Sequence, residues 1–431
     1  AGPNTILDTA LGFIFYVLIF PSVLLIAYEF TRDWLRAAVI FFFASMLIVH
    51  SRELPVYGLS SMLETQGMFF LLWALYFLYK LYARHGYRAE AQAGPADGTP
   101  PPRTRFMWGL LIFSQGLFFT KYPYGIMLIM AVLAYDFLRA PGSYLDFAGV
   151  LLERHYRGLR LLLLLAAVIV LGLFVLKGRI FPENLREVFA SKSFRYLIFA
   201  IAFLLFVDLQ VFLWRFRFQL ARLFDSATSQ IYRAVILPSL IWIFIHPDRL
   251  SSTLGTQQHS QDAGRSFTQS LLWQVFDRPG PFLLALAIAA LALLLLFAGG
   301  VAAVRKRRAA PEQTRQPNAL DSVASDTYAG ALLERFRRPM VGVTFVILAQ
   351  FLILEFLTGN KQLRHIYHLV PALLLTLGVW MVRLPRLVPA GGILPEQIAR
   401  RVIVLMSIAL PLSAGLLLFT PPGGLLAGTT Q

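Results

Sequence analysis

Acidic side chains lie at the ends of hydrophobic segments in this sequence, where they could do chemistry at a membrane surface. Glu53 follows one hydrophobic segment, and Glu64 begins the next. A carboxylate in such a place can act as a general base on a hydroxyl group, or orient that group. Glu53 could instead form a plain ion pair with its neighbour Arg52. Glu64 could instead stabilise the start of a helix through the helix dipole.

Basic side chains lie in two short turns that also follow hydrophobic segments. Lys121 is in the first turn, and Lys361, Arg364 and His365 are in the second, shortly before Tyr367. Arginine binds phosphate with two parallel hydrogen bonds and lysine binds it as a point charge. The second turn in particular therefore predicts a site for a lipid phosphate. The alternative is that these long side chains only reach out to headgroups from the ends of helices.

Other polar residues give weaker predictions. Asp208 lies inside a hydrophobic segment, where a charge is costly and normally has a functional or pairing role. Only Gln350 and Glu355, on one other segment, accompany it, which favours a structural pair or a protonated Asp208 over an ion path. His365 and His368 are near each other without a carboxylate close in sequence, so no metal site is predicted. The absence of cysteine excludes disulfides and thiolate ligands.

The composition predicts the elements that hold these residues. Hydrophobic residues make up 57% of the 431 positions and charged residues 14%, against about 25% charged in a soluble domain. A bilayer core of about 30 Å needs about 20 apolar residues per helix. We therefore expect one all-α transmembrane domain over residues 1–431, a bundle of about twelve helices. They are predicted at 5–29, 34–50, 65–83, 106–120, 123–138, 160–177, 195–214, 232–246, 281–304, 339–357, 366–382 and 401–419.

The distribution of positive charge predicts the orientation of the bundle. The net charge is +16, and an excess of this kind in a membrane protein indicates cytoplasmic loops rather than nucleic-acid binding. The arginine-rich connections are 84–105, 139–160, 215–233, 305–338 and 383–400, and they all fall on one side when the helices alternate. That side is predicted to be the cytoplasm, with 84–105 and 305–338 as flexible loops.

The same alternation predicts what lies outside. Segment 247–280 is the longest external loop, and Glu53, Glu64, Lys121 and the turn at 361–367 are external as well. Both chain ends also fall outside, which is unusual for a chain without a signal peptide. We therefore expect a further helix and an external loop to precede residue 1, giving about thirteen helices.

Three segments of the chain, in order, resemble the GT-C membrane glycosyltransferases. The similarity is to bacterial relatives of the protein O-mannosyltransferases and of the aminoarabinose lipid A transferase. The first segment is Thr31–Trp34 with Ser60–Glu64 and the aromatic helix Phe69–Tyr79. The second is Gly116–Pro123, and the third is Lys361–Pro371.

The resemblance implies transfer of a sugar from a polyprenyl-phosphate donor, which lies in the bilayer, to a hydroxyl acceptor. The transfer would invert the configuration at the anomeric carbon of the sugar. It would take place on the external face of the bacterial inner membrane. Lys121, Lys361, Arg364, His365 and Tyr367 would contact the donor phosphate. Glu64 matches an acidic position of the family only loosely, and the family's principal acidic residue would lie in the loop that precedes this sequence. The resemblance leaves a divalent cation open.

Two other classes of function remain open from the residues themselves. One is a non-catalytic subunit of a larger membrane complex. The other is a transporter, or a ligase or polymerase of lipid-linked glycans, for which the basic residues and His259 of the 247–280 loop would be relevant. No nucleotide-binding motif is present, so neither nucleotides nor nucleic acids are predicted partners.

Overall fold

The described part of the chain is helical and contains no β-strand. The computed structural model describes residues 3–49, 51, 54–58, 63–85, 105–154, 164, 192–224, 226–246, 338–357, 366–387 and 396–416. The first half of the chain forms α1 Pro3–Thr31, α2 Trp34–Val49, α3 Leu54–Gly58, α4 Glu64–His85, α5 Arg105–Thr120, α6 Tyr122–Arg139 and α7 Pro141–Arg154. The second half forms α8 Lys192–Arg215, α9 Arg217–Leu223, α10 Ser226–Ile231, the π-helix π1 Tyr232–Ile236, α11 Leu237–Ile245, α12 Pro339–Leu357, the 3-10 helix η1 Tyr367–Leu369, α13 Val370–Leu387 and α14 Glu396–Leu416.

Most predicted helices within the described ranges are confirmed as helices, with ends that differ by a few residues. Predicted helices 160–177 and 281–304 lie outside the described residues, apart from Leu164. The loop 247–280 and nearly all of 84–105 and 305–338 lie outside them too. The count of about twelve spans therefore stays a prediction.

Two helical stretches of the described chain are long and apolar enough to cross a membrane. They are Thr9–Thr31 in α1 and Ser226–Ile245, which runs through α10, π1 and α11. Helices α6 and α7 would form a third membrane-spanning stretch if the two bent helices are counted as one span. Shorter apolar helices occur at Trp34–Val49, Pro339–Leu354, Tyr367–Arg383 and Arg401–Leu412.

Helix α7 corrects the prediction that 139–160 is a loop. Pro141 starts the helix, where the missing N–H of proline is harmless because that position has no partner within the helix. Tyr144 and Phe147 then pack their rings against Phe224, with centroids 5.0 and 5.6 Å away. This aromatic contact gives a segment with two glycines, Gly142 and Gly149, enough packing to stay helical.

The π-helix has a local cause in proline. Pro238 cannot donate the hydrogen bond that an α-helix would form to the carbonyl of Ala234. The Ser114 hydroxyl on α5 donates to that carbonyl over 3.3 Å. Gln115 Nε2 donates to the Ser239 hydroxyl over 3.0 Å. The irregular turn is thus tied to α5 by side chains, and π1 packs on α5.

Helix α4 lies at the centre of the described bundle, in contact with α1, α5, α12 and η1. Glycines of α5 allow the closest approach. A Cβ atom at Gly109 would lie 2.4 Å from the ring of Phe77, and one at Gly116 would lie 2.5 Å from the ring of Phe70. Close packing of α4 on α5 sets which residues meet at the ends of the two helices.

Candidate functional site

The ion pair between Glu64 and Lys121 joins two helix ends at one end of the bundle. Glu64 is the first residue of α4, and Lys121 is the single residue between α5 and α6. Lys121 has extended backbone angles, φ −149° and ψ 120°, and Pro123 follows in the first turn of α6. Its Nζ donates to Glu64 Oε1. Two residues predicted separately to carry chemistry are therefore partners.

The two members of this ion pair differ in their access to solvent. The Glu64 side chain is fully buried, whereas 26% of the Lys121 side chain is exposed. Glu64 Oε2 and the neighbouring Thr65 hydroxyl are both buried, and neither has a hydrogen-bond partner among the described residues. An ionised carboxylate offers about four acceptor positions. The pair therefore keeps unused hydrogen-bonding capacity beside an ammonium group that a ligand can reach.

An aromatic stack adjoins the ion pair. The rings of Tyr124 and His368 lie parallel, with centroids 3.7 Å apart and planes tilted by 15°. Lys121 Nζ lies 5.3 Å from the centre of the Tyr124 ring and 3.4 Å from its hydroxyl. This distance allows a cation–π contact. His368 belongs to η1, which packs against α4.

Gly67 makes room for the stack on the surface of α4. A Cβ atom at this position would lie 3.1 Å from Tyr124 Cε2 and 3.4 Å from His368 Cβ. Glycine therefore permits both rings to lie against α4, one turn after Glu64. We call Glu64, Lys121, Tyr124 and His368 the Glu64 cluster. It gathers residues from α4, from α6 and its cap, and from η1.

The structure brings some predicted site residues together and leaves others outside its description. Glu64 and Lys121 are in contact, and Tyr367 is fully buried in η1 next to His368. Lys361, Arg364 and His365, predicted to bind the donor phosphate, and Glu53, predicted as a candidate base, lie outside the described residues. Their roles stay predictions.

Sequence reasoning missed Tyr124 and His368 as members of the cluster. Both lie within three residues of a predicted site residue, since Tyr124 follows Lys121 and His368 follows Tyr367. An aromatic residue one turn from a candidate cation is a usable signal for a cation–π contact. The stacking partner on η1 could be found only from the fold.

A second buried acidic cluster lies at the opposite end of α6. Asp136 Oδ1 accepts hydrogen bonds from Arg139 Nη2 (2.8 Å) and Nε (3.2 Å). Asp136 Oδ2 accepts from the hydroxyls of Tyr144 and Thr228, each 2.7 Å away. Arg139 also donates to Thr228 over 2.9 Å and lies 5.2 Å from the centre of the Tyr82 ring on α4. We call these residues the Asp136 cluster.

The Asp136 cluster has the character of a structural link. Both carboxylate oxygens accept two hydrogen bonds, and the ion pair is 2–3% exposed. The cluster ties α6 to α7 and α10. A fully satisfied buried network specifies one arrangement of its helices and has little capacity left for a ligand.

The predicted pairing of Asp208 stays a prediction. Asp208 is half-buried on α8, and nearby Gln210 accepts a hydrogen bond from the Tyr232 hydroxyl over 2.8 Å. Gln350 is fully buried on α12 and donates to the carbonyl of Val346 in its own helix. The described residues contain no group of three His, Asp or Glu side chains that could hold a metal ion.

Comparison of the chain with protein families, with curated proteins and with solved structures finds no match in any of the three. A function is therefore inferred from the residues of the Glu64 cluster and from the sequence segments that supply them.

Proposed function

We propose that this protein is an integral-membrane glycosyltransferase. It moves a sugar from a polyprenyl-phosphate donor to a hydroxyl acceptor on the external face of the bacterial inner membrane. The proposal includes the multi-pass arrangement of about twelve helices, with the Glu64 end of the bundle outside. Lys121 contacts the donor phosphate, together with Lys361, Arg364 and His365, while Tyr367 is fully buried.

The observation that supports this most is the meeting of three distant segments in the Glu64 cluster. Glu64 comes from the first of the segments that resemble the GT-C enzymes, Lys121 from the second and His368 from the third. A site that binds one substrate between these three segments would bring residues of all three together in this way.

The chemistry assigns different roles to the two charged residues. The acceptor hydroxyl oxygen attacks the sugar C1, the bond between C1 and the phosphate oxygen breaks, and polyprenyl phosphate leaves with the negative charge. A fixed cation beside that phosphate stabilises the transition state. The partly exposed Lys121 ammonium is suited to this role. Fully buried Glu64 is suited to holding Lys121 in place.

Lys121 can hold Glu64 and a phosphate at the same time. A lysine ammonium carries three N–H donors. One is directed at Glu64 Oε1, and the contact with the Tyr124 hydroxyl is long, at 3.4 Å. The proton released by the acceptor hydroxyl needs a separate base, and Glu53 remains the predicted candidate in this chain.

An assay of donor cleavage tests the proposal. Wild-type protein in liposomes is given polyprenyl-phosphate-linked mannose or aminoarabinose with a mixture of hydroxyl acceptors, and formation of free polyprenyl phosphate is measured. Lys121→Ala is expected to lower the rate by about 100-fold or more, the usual effect of losing one transition-state donor. Lys361→Ala with Arg364→Ala is expected to abolish it.

Lys80→Ala is the matched control. Lys80 pairs with Glu29 near the other end of α4, about 24 Å along the helix from Glu64 at 1.5 Å per residue. Its loss removes a lysine–glutamate pair of the same kind without touching the Glu64 cluster. Equal rates for wild type and Lys121→Ala would contradict the proposal. A well-folded wild type that cleaves no donor would favour the non-catalytic subunit.

A further inference from the structure

The junction of α6 and α7 sets α7 nearly at right angles to α6. The two helices meet at Ala140 with a bend of 98°. Helix α6 spans 18 residues, or about 27 Å at 1.5 Å per residue, close to the thickness of the bilayer core, about 30 Å. If α6 crosses the membrane as proposed, α7 lies along its cytoplasmic surface.

Side chains fix α7 in this direction. The Tyr144 hydroxyl donates to Asp136 at the end of α6. One turn later Phe147 packs on Phe212 and Phe224, with ring centroids 6.3 and 5.6 Å away. Helix α7 is therefore anchored to the end of α6 through Tyr144 and to Phe212 and Phe224 through Phe147.

The outer face of α7 is apolar and exposed. Leu145 is 68% exposed and Leu152 is 46% exposed, about two turns apart on the same face, with exposed Ala148 between them. Gly142 and Gly149 flank this face, and a Cβ atom added at either would meet nothing within 4 Å. Exposed leucines at helical spacing are typical of helices that lie in a membrane interface.

Exposed aromatic and basic residues also lie on α8 and α9, the second of which packs against α7. Trp214 near the end of α8 is 70% exposed, and Phe218 on α9 is 74% exposed. The guanidinium of Arg217 lies 5.6 Å from the centre of the Trp214 ring and 4.9 Å from that of Phe218. Arg215 is exposed beside them, and α9 packs against α7.

We propose that this surface, the α7–α9 collar, binds the anionic phospholipids of the cytoplasmic leaflet. The collar comprises Leu145, Leu152, Trp214, Phe218 and the two arginines Arg215 and Arg217. Tryptophan side chains are enriched at the depth of the lipid headgroups, and leucine side chains can insert into the adjoining hydrocarbon. Each arginine near an anionic membrane surface adds electrostatic attraction to that surface. The inference depends on the chain's place in a membrane and is independent of sugar transfer.

Depth measurements test the orientation of the collar. The chain has no cysteine, so single-cysteine variants Leu145→Cys, Leu152→Cys and Asp146→Cys each carry one fluorophore in lipid nanodiscs. Asp146 is the matched control, because it is exposed next to Leu145 but lies on the flank of the helix. Brominated lipids are expected to quench the probes at 145 and 152 equally, and both at least twofold more than the probe at 146.

Lipid selectivity tests the charge part of the proposal. Brominated phosphatidylglycerol is expected to quench the probe at 145 about twofold or more better than brominated phosphatidylcholine at the same mole fraction. Arg215→Ala with Arg217→Ala is expected to remove this preference while the difference in quenching between 145 and 146 remains, which shows that the variant is folded.

Four results would overturn the proposal. Equal quenching by the two lipids would contradict the proposed preference for anionic phospholipid. Equal quenching at 145 and 146 would place α7 in water. If quenching places the probe at 152 much deeper in the bilayer than the probe at 145, α6 and α7 form a re-entrant loop instead. Shielding of the probe at 145 from both water and lipid would indicate a protein partner.

Discussion

The two buried acidic clusters lie at opposite ends of α6 and use their carboxylates differently. Asp136 accepts four hydrogen bonds, from Arg139, Tyr144 and Thr228. Glu64 is paired through Oε1 with Lys121, and its Oε2 has no partner among the described residues. Buried polar groups are normally satisfied. The Asp136 carboxylate is therefore saturated by its partners, whereas the Glu64 carboxylate keeps one oxygen available beside Lys121, as the proposed phosphate site would require.

The largest effect on stability is expected for Asp136→Asn. The substitution removes the negative charge that balances Arg139. It also replaces a carboxylate oxygen with an amide NH₂ group, which faces the donors of Arg139, Tyr144 or Thr228. Loss of one partner from a buried ion pair costs about 3–5 kcal/mol. The thermal unfolding temperature of the purified protein in detergent should fall markedly.

A double substitution separates charge balance from shape in the Asp136 cluster. Asp136→Leu with Arg139→Met removes both charges at once, and buried pairs replaced by apolar groups are often neutral in stability. The double variant should recover much of the loss seen for Asp136→Asn. If Asp136→Asn unfolds at the wild-type temperature, the structural role assigned to this cluster is wrong.

Glu64→Gln should have a smaller effect on stability and a larger effect on function. Lys121 keeps 26% of its side chain exposed, so it can return to water when its partner loses its charge. We expect a loss of about 1 kcal/mol together with a clear drop in donor cleavage. Residues at functional sites commonly add little to stability. Unfolding as severe as that of Asp136→Asn, measured in the same detergent, would make Glu64 a structural residue.

The smallest effect is expected for alanine at two glycines. Gly67→Ala places a methyl group about 3.1 Å from Tyr124, which should displace the stack with His368. The overpacking cost of about 1 kcal/mol is partly offset by the helix preference of alanine, about 0.5–1 kcal/mol, so a small net loss is expected. Gly149→Ala is its control, since it faces open space in a helix and alanine is favoured there by about 0.5–1 kcal/mol. Opposite signs in the unfolding temperature are expected. A stabilising Gly67→Ala would argue against close packing at the Glu64 cluster.

The helices around the Glu64 cluster could be predicted from the sequence because their ends carry clear signals. Polar Thr120 and Lys121 interrupt a hydrophobic run, and Pro123 lies in the first turn of the next helix. The residue types at 64 and 121 also indicated a membrane-edge site. Their pairing could not be predicted, because it depends on α4 packing on the glycines Gly109 and Gly116 of α5.

The Asp136 cluster was missed for a different physical reason. Asp136 and Arg139 lie one turn apart on a helix, and Arg139 was counted only among the positive charges of the 139–160 loop. The glycines Gly142 and Gly149 favoured a loop by local propensity. Contacts with Phe224 on a distant part of the chain override that propensity, and they are not visible from local sequence.

Binding of a polyprenyl phosphate without sugar tests most directly whether the Glu64 cluster is a phosphate site. Dissociation constants are measured in nanodiscs for wild type, Lys121→Ala and Lys80→Ala. Loss of a hydrogen bond to a charged group costs about 1.5–3 kcal/mol, so Lys121→Ala should bind at least about tenfold more weakly. Lys80→Ala should bind like wild type. Equal affinity of wild type and Lys121→Ala would contradict the account.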